Sequence, residues 1–503
     1  MKNNSLFHPV SRDQNAASSI IMGGNLLDEK IKKKTLRPDR VPVGERSPLE
    51  RVEDFREVPL GYTLDQAKDE ADRCLNCKKR PCKKGCPVGI DCGGFVDRVS
   101  KGDISGAVKL VKEKNLLPAI TGRVCPQSDQ CEGPCLVGKK GTSLGIGNLE
   151  RFVADWERKH GEVLPDKAPP TGMSVGIVGS GPSGLTVAAD LIQLGHGVTI
   201  YEALHEAGGV LIYGIPEFRL PKAIVAEQID GLRRLGVEIK LNQIIGKTLT
   251  VDEILEMHNA VFIGVGAGAP IFMDIPGENL IGVYSANEYL TRSNLMRAYS
   301  FPEWDTPMFF GKRIAVIGGG NVAMDSARTA LRLGADEVAL IYRRSREEMP
   351  SRDEEIRHAE EEGLRFELLK SPTRIIGNGS GRVTSIELIS MELGEPDASG
   401  RRRPIPVMGS EQILEVDTVI MAIGQQPNPM IAATTPGLKT DKRGYIVVDK
   451  ETMATTKEGV YAGGDIAGFG ASVILAMGDG RKAATAIQDY FVSKNTPDRE
   501  SAS

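Results

Sequence analysis

Beyond Cys135 the chain has no cysteine. All eight fall between Cys74 and Cys135, and residues 136–503 have none. Clustering of this kind argues against a disulfide scaffold and for metal or iron–sulfur ligation. Charge of one sign is lacking as well: 63 Lys and Arg face 67 Asp and Glu, a net −4 that gives nucleic acid no footing as a partner. No run is apolar and long enough to span a bilayer, and the opening MKNNSLFHPV has no apolar signal core, so a soluble, cytoplasmic protein is expected. No nucleophile constellation and no paired general acid and base stand out. At 503 residues the chain is too long for one core, and two to four domains are expected.

What is present is organised around Val175–Glu202, VGIVGSGPSGLTVAADLIQLGHGVTIYE. A short apolar strand runs into Gly179-Ser180-Gly181-Pro182-Ser183-Gly184, then a helical pattern, then a second strand ending on Glu202. This is the context a dinucleotide fingerprint needs. Gly179 permits the tight turn, Gly181 lets backbone approach a pyrophosphate, and Gly184 allows close helix–sheet packing. The helix N-terminus stabilises phosphate charge, and Glu202 can accept from a ribose diol. Gly208-Gly209 comes next, and the run to Gly264, Val265 and Gly266 reads as a buried strand turning on glycine.

The unit recurs at Arg313: an apolar strand, Gly318-Gly319-Gly320-Asn321-Val322-Ala323, a helix, and a strand to Tyr342. Where the first unit has Glu202, the second has Arg343, with Arg344 and Arg346 close behind. A carboxylate repels a 2′-phosphate and an arginine fork binds one. The first site is therefore expected to hold FAD and the second NADP(H). A second glycine-terminated strand ends at Gly424. The strand leading to Gly463-Gly464-Asp465, with a helix expected to begin near Gly478, completes the FAD side.

The cysteines fall into Cys74-x2-Cys77-x4-Cys82-x3-Cys86-Pro and Cys125-x5-Cys131-x3-Cys135. The first run is similar in spacing to bacterial ferredoxins. A four-thiolate zinc site usually shows two C-x2-C pairs, and only Cys74/Cys77 forms one. Cys92 lies outside both spacings and reads as an ordinary buried cysteine. Two cubanes need eight ligands, and seven thiolates leave one missing.

The motifs GYTLDQAKDEADRCLNCKKRPC, GCPVGID, GRVCPQSDQCEGPC, GNLERF, GGGNVAMD, YRRS and YAGGD resemble those of the glutamate synthase small subunit and its relatives. These include the large subunit of NADH-dependent reduced ferredoxin:NADP oxidoreductase, sulfide dehydrogenase and the N-terminal half of dihydropyrimidine dehydrogenase. The resemblance covers roughly residues 50–490. It implies Cys74, Cys77, Cys82 and Cys135 on one [4Fe-4S] cluster, with Cys86, Cys125, Cys131 and a side-chain oxygen at Glu150 on the other. The competing reading of Glu150 is a surface glutamate on a helix. The stretch LVGKKGTSLGIGNLERFVADW looks more like the ferredoxin:NADP oxidoreductase large subunit.

The expected fold is α/β, an N-terminal α-helical double-cubane Fe–S domain preceding two Rossmann-like domains, the FAD domain split by an inserted NADP domain. In chain order these are a polar extension (1–50), the Fe–S domain (51–165), the first segment of the FAD domain (173–295), the NADP(H) domain (296–424), and the second FAD segment with the tail (425–503). The expected activity is hydride transfer between nicotinamide and flavin, with single electrons passing through the cubanes. The resemblance implies a hetero-oligomer. Its other member is either a small flavin/iron–sulfur subunit, serving ferredoxin and NAD by electron bifurcation, or a large glutamate synthase subunit. A non-catalytic Fe–S scaffold or nucleotide sensor would need one nucleotide site broken, and both read as intact.

Overall fold

The computed structural model describes residues 37–398, 400–468 and 472–495; most of the polar extension, residues 1–36, lies outside them. Residues 38–50 pack against the cysteine domain. Val41 is buried and accepts a hydrogen bond from the Tyr62 hydroxyl at 2.8 Å, and Gly44–Glu45 pairs antiparallel with Pro59–Gly61.

The cysteine domain is built of helices, chiefly Leu64–Ala71, Cys92–Ser100, Ile104–Lys112, Pro118–Val124 and Ile146–His160. Local chemistry sets their starts. Thr63 and Gln66 form a reciprocal capping box, and Asp91 and Asp103 accept from the first-turn amides of Gly94 and Gly106. Phe95, Val99, Val111 and Leu149 point inward. Their core continues without a break into Ile177, Leu185, Leu191 and Phe491 of the first nucleotide domain. The cysteine domain and the first nucleotide-fingerprint domain thus share one apolar core, while the second such domain has its own on each face of its sheet.

Both nucleotide domains hold a five-stranded parallel sheet. In the first, the order is Val460–Ala462, Ala260–Ile263, Ser174–Val178, Gly197–Tyr201, Glu238–Lys240. In the second it is Arg365–Leu368, Glu337–Tyr342, Arg313–Ile317, Thr418–Met421, Val283–Ser285. In each sheet the middle strand and one of its neighbours end in glycine turns, which lie at the switch point where doubly wound sheets open a crevice.

Three elements differ from the sequence-based expectation. Val283–Ser285 belongs to the second sheet, so that domain begins before residue 296; the strand is only three residues long and has no glycine turn to mark it. Lys370–Gly377, Val383–Pro396, Arg402–Pro406 and Gln412–Glu415 form an antiparallel sheet inserted before the strand Thr418–Met421 of that domain. The final helix runs Val473–Asn495 and does not begin near Gly478. Its glycines serve helix packing: a Cβ on Gly480 would come within 2.4 Å of the Ser183 carbonyl oxygen.

Candidate functional site

In the first fingerprint the glycines are required by contact. Gly179 has φ +98°, and a Cβ there would lie 2.7 Å from the Gly264 oxygen; one on Gly184 would lie 2.1 Å from the Gly179 oxygen. Gly181 precedes helix Pro182–Gln193, with Pro182 at its first position. Glu202 is buried and accepts from the Ser180 N–H (2.9 Å), the Ser180 hydroxyl (2.5 Å) and the Leu204 N–H (2.9 Å). Gly208 donates to the Ser180 hydroxyl at 2.9 Å, and Gly209 rests against Gly181. Glu202 therefore holds the loop in shape besides facing the site. Gly266 turns with φ +68° and opens onto free space.

Gly464 lies over Ser183 and donates its N–H to Asp479 at 3.1 Å. Burial, and then the Asp479 charge, push the Asp465 carboxyl up to about 6. Burial, and after it the charges of Asp465 and Glu202, raise the Tyr213 hydroxyl to about 12. The fold thus brings Gly464, Asp465, Glu202 and the Gly208-Gly209 turn to one cradle, whose crowded glycines and open face at Gly266 fit a bound dinucleotide.

The second cradle repeats the design. Gly318 has φ +139°, with a Cβ excluded by the Ala422 oxygen at 2.3 Å, and Gly320 precedes helix Asn321–Arg332. The Asn321 side chain accepts from the Arg352 N–H at 3.1 Å, Val322 is exposed and Ala323 buried. Gly424 turns with φ +122° against Ile271. The paired arginines diverge here. Arg343 is exposed and has no partner among the described residues. Arg344 is buried, bonding Asp397 at 2.6 Å and the Arg402 carbonyl at 2.7 Å on the inserted sheet. Arg346 pairs with Glu360. Arg343 is thus the exposed arginine of the pair, and Arg344 is committed to the fold.

The cysteines separate into two groups. Cys74, Cys77, Cys82 and Cys135 line one half-exposed cavity, together with Leu75, Val96 and Leu136, and Cys74 lies within electrostatic reach of the other three. Cys86, Cys125, Cys131 and Glu150 converge deeper. Burial, and then the charges of Glu150, Cys131 and Cys86, push the Cys125 thiol well above its usual value. Glu150 is not on the surface. It is fully enclosed, accepts from Asn115 (2.9 Å) and Thr121 (2.6 Å), and is pushed up to about 8, first by burial. Four thiols in one group, and three thiols with one enclosed carboxyl in the other, make donor sets that fit two cubanes. Cys92 is buried, as its position outside the spacings suggested, yet it lies between the groups within hydrogen-bond reach of Cys82, Cys86 and Cys131.

The Cys86 loop sits on the FAD domain's last helix. Gly478 faces Pro87, a Cβ there standing 3.4 Å from it, and Arg481 donates to the Val88 carbonyl at 3.1 Å while pairing with Asp190 at 2.7 Å. Asn115, Thr121 and Arg481 had no motif to announce them. Only Thr121 leaves a sequence signal, a polar residue ending the apolar run of residues 116–120; Asn115 and Arg481 stand beside polar and glycine neighbours.

Two family models account for most of the chain: "Dihydropyrimidine dehydrogenase domain II, 4Fe-4S cluster" over residues 51–162, and "Pyridine nucleotide-disulphide oxidoreductase" over residues 173–489. The chain is a pyridine nucleotide-disulphide oxidoreductase carrying an N-terminal Fe–S domain, and within that class it belongs to the glutamate synthase small-chain family. It is 36% identical over 455 residues to the glutamate synthase [NADPH] small chain of Escherichia coli (strain K12), covering 89% of this chain and 96% of that one. It is 39% identical over 435 residues to the NADP(+)-dependent formate dehydrogenase subunit beta of Moorella thermoacetica, covering 82% of this chain but 60% of that subunit. The fold of Mycobacterium tuberculosis FprA in complex with NADPH matches with a TM-score of 0.53 at 23% identity, over 65% of this chain and 86% of that one. The protein is an NADP(H)-dependent FAD/iron–sulfur oxidoreductase, and its cofactors are FAD, NADP(H) and [4Fe-4S] clusters. Among the described residues no helix is long and apolar enough to cross a membrane.

Proposed function

We propose that this chain is the electron-input subunit of a hetero-oligomer, taking electrons from NADPH and delivering them to a partner. The observation that carries this reading is the seating of Pro87 and Val88, beside Cys86, on the helix that comes after Gly464-Asp465. One shared core holds the flavin cradle and the deeper cysteine group at fixed separation, as electron transfer requires.

Each residue group has its assigned task. Gly179, Gly181, Pro182, Ser183, Gly184, Glu202, Gly208, Gly209, Gly266, Gly464 and Asp465 would hold FAD. Gly318, Gly320, Asn321, Val322, Ala323, Arg343 and Gly424 would hold NADP(H), with Arg344 tying this turn to the inserted sheet. Cys74, Cys77, Cys82 and Cys135 would hold the outer cluster, and Cys86, Cys125, Cys131 and Glu150 the inner one. When bound, these groups supply hydride transfer from nicotinamide to flavin and one-electron transfer onward. The chain contributes position and burial and needs no general acid or base.

The favoured partner is a small flavin/iron–sulfur subunit through which ferredoxin and NAD are served in a bifurcating arrangement. It is supported by the character of residues 136–156. The second reading, a large glutamate synthase subunit, is supported by the near end-to-end match with the Escherichia coli small chain. Anaerobic native purification tests both. A small flavoprotein co-purifying, with NADPH-driven reduction of ferredoxin plus NAD+, is the expected result. A large amidotransferase subunit, with glutamate formed from glutamine and 2-oxoglutarate, would overturn it in favour of the second.

A further inference from the structure

The short segment Pro350-Ser351-Arg352 touches the second cradle on one side and the helix leading to Cys125 on the other. On the first side it is seated on the glycine loop after strand Arg313–Ile317. The buried Ser351 hydroxyl donates to the Gly319 carbonyl at 2.8 Å, and the Arg352 N–H donates to the Asn321 side chain at 3.1 Å. A Cβ on Gly320 would stand 3.9 Å from Pro350. On the other side the Arg352 guanidinium donates to the Arg123 carbonyl at 3.2 Å. Arg123 lies in the last turn of helix Pro118–Val124, which ends at Cys125 and whose Thr121 donates to Glu150. A guanidinium there satisfies a carbonyl that the helix leaves open and stabilises the negative end of its dipole. The Arg352 side chain is only 16% exposed, pairs with Glu354 at 2.7 Å, and has Cys125 and Glu132 within reach of its charge. The Arg123 guanidinium itself is occupied by Glu57 and Asp155, at 2.7 and 2.9 Å.

From this we infer that Arg352 is a positioning residue that couples the second nucleotide cradle to the inner cysteine group. A phosphate held at Gly319-Gly320-Asn321 fixes the segment on which Arg352 stands. Arg352 in turn fixes the last turn before Cys125 and the positive charge beside it. Reduction adds negative charge to an iron–sulfur group, and a permanently charged guanidinium nearby favours the reduced form. The potential of the inner group therefore depends on where Arg352 is held. By linkage the effect runs both ways: a nucleotide that changes that potential is bound more or less tightly on reduction, by the same factor. Arg352 can act in this way only on the proposed assignment of Asn321 to NADP(H) and of Cys125 to the inner cluster, and it supplies the side chain through which those two sites communicate.

The test is an anaerobic redox titration of the full-length holoprotein, followed by electron paramagnetic resonance, with and without adenosine 2′,5′-bisphosphate. This probe carries phosphates of the adenosine half and no redox-active ring. The inner signal is assigned as the one that Glu150→Ala removes. In wild type the probe is expected to change the inner reduction equilibrium at least about threefold, about 28 mV for one electron, and to leave the outer one in place. Arg352→Ala should lower the inner potential by a similar factor and abolish the probe's effect. Arg352→Gln keeps a donor for the Arg123 carbonyl without the charge; it should retain iron, show the same lowered potential, and give the reading if the alanine variant loses its cluster. Arg352→Lys, which keeps the charge, should restore most of the potential. An inner potential unmoved by the probe in wild type, or a shift of wild-type size in the alanine and glutamine variants, would overturn the inference. Calorimetric titration of the probe separates the two layers. Binding that Arg343→Ala weakens, without any shift in potential, sinks the coupling alone, whereas no binding to wild type sinks the cradle assignment and the coupling with it.

Discussion

Arg219 and Asp325 join the two nucleotide domains by a buried ion pair at 2.6 Å, Arg219 lying just beyond the Gly208-Gly209 turn and Asp325 on the helix after Gly320. Arg219 also reaches Glu355 at 2.9 Å, and Arg328 bridges Glu355 and Glu362. The neighbouring Phe218 ring is stacked by the Arg328 and Arg332 guanidinium groups, while its carbonyl accepts from the Val58 N–H of the cysteine domain at 3.0 Å. Arg51 extends the lattice to Glu362 at 2.7 Å. Because the NADP domain has a separate apolar core, this charged junction sets its position against the rest.

Removing Arg219 strands the buried Asp325 carboxylate, so Arg219→Ala should cost about 3–5 kcal/mol of stability, whereas Asp325→Ala leaves Arg219 paired with Glu355 and should cost less. The double variant should cost clearly less than the sum of the two. Urea unfolding of the three variants checks this, and strict additivity would refute the coupling.

Arg343 and Arg344 should fail in different ways. Arg343→Ala is expected to raise KM for NADPH at least about tenfold, about 1.4 kcal/mol, while barely changing NADH. Arg344→Ala removes the bonds that tie this turn to Asp397 and the Arg402 carbonyl and should lower thermal stability first. Steady-state kinetics with both nucleotides, alongside melting curves, separate the two roles; equal KM changes would show that the cradle was misassigned.

Glu150→Ala should lower the iron content from about eight to about four per chain if the carboxyl completes the inner cluster. Glu150→Gln, which preserves an oxygen toward Asn115 and Thr121, should retain more iron than the alanine variant. Iron analysis of anaerobic preparations decides, and full iron in both variants would remove Glu150 from the ligand set.

Asp465 links stability to pH. Its folded value of about 6 lies above the unfolded 3.8, so the native state holds the extra proton between them. Its contribution is fully present below the unfolded value and is lost as pH rises through about 6. Flavin-free Asp465→Asn should therefore melt higher than flavin-free wild type at pH 7 to 8, with the gap closing toward pH 4. It should also hold FAD less tightly. A gap constant across that range would exclude Asp465 as its source.

The turns were legible because contact admits only glycine at Gly179, Gly184 and Gly318, which leaves an unambiguous mark in the chain. The grouping of the cysteines was legible only through resemblance, since spacing cannot tell which loop meets which. Arg344 looked equivalent to Arg343 because a linear sequence does not show that adjacent residues on a turn point apart, and the turn glycines of the inserted sheet, such as Gly379, Gly381 and Gly400, do not say which residue that sheet captures. Gly478 read as a helix start for the same local reason that Gly320 does, yet it and Gly480 serve close packing inside a helix. The junction at Phe218 and Arg219 was invisible, because its charges come from segments more than 100 residues apart.

The chain enters the NADP domain near Ala269–Pro270 and leaves it near Gln425–Gln426, and these two crossings pair with each other as antiparallel strands. The domain's two ends thus meet at a single doorway. A segment so attached can be exchanged as one cassette without rethreading the host. On the proposed assignment of Arg343, nucleotide preference travels with the cassette and is separable in heredity from the rest of the chain. Any replacement must still bring its own counterparts of Asp325 and Glu355 to meet Arg219, of Arg328 and Arg332 to meet Phe218, and of Glu362 to meet Arg51.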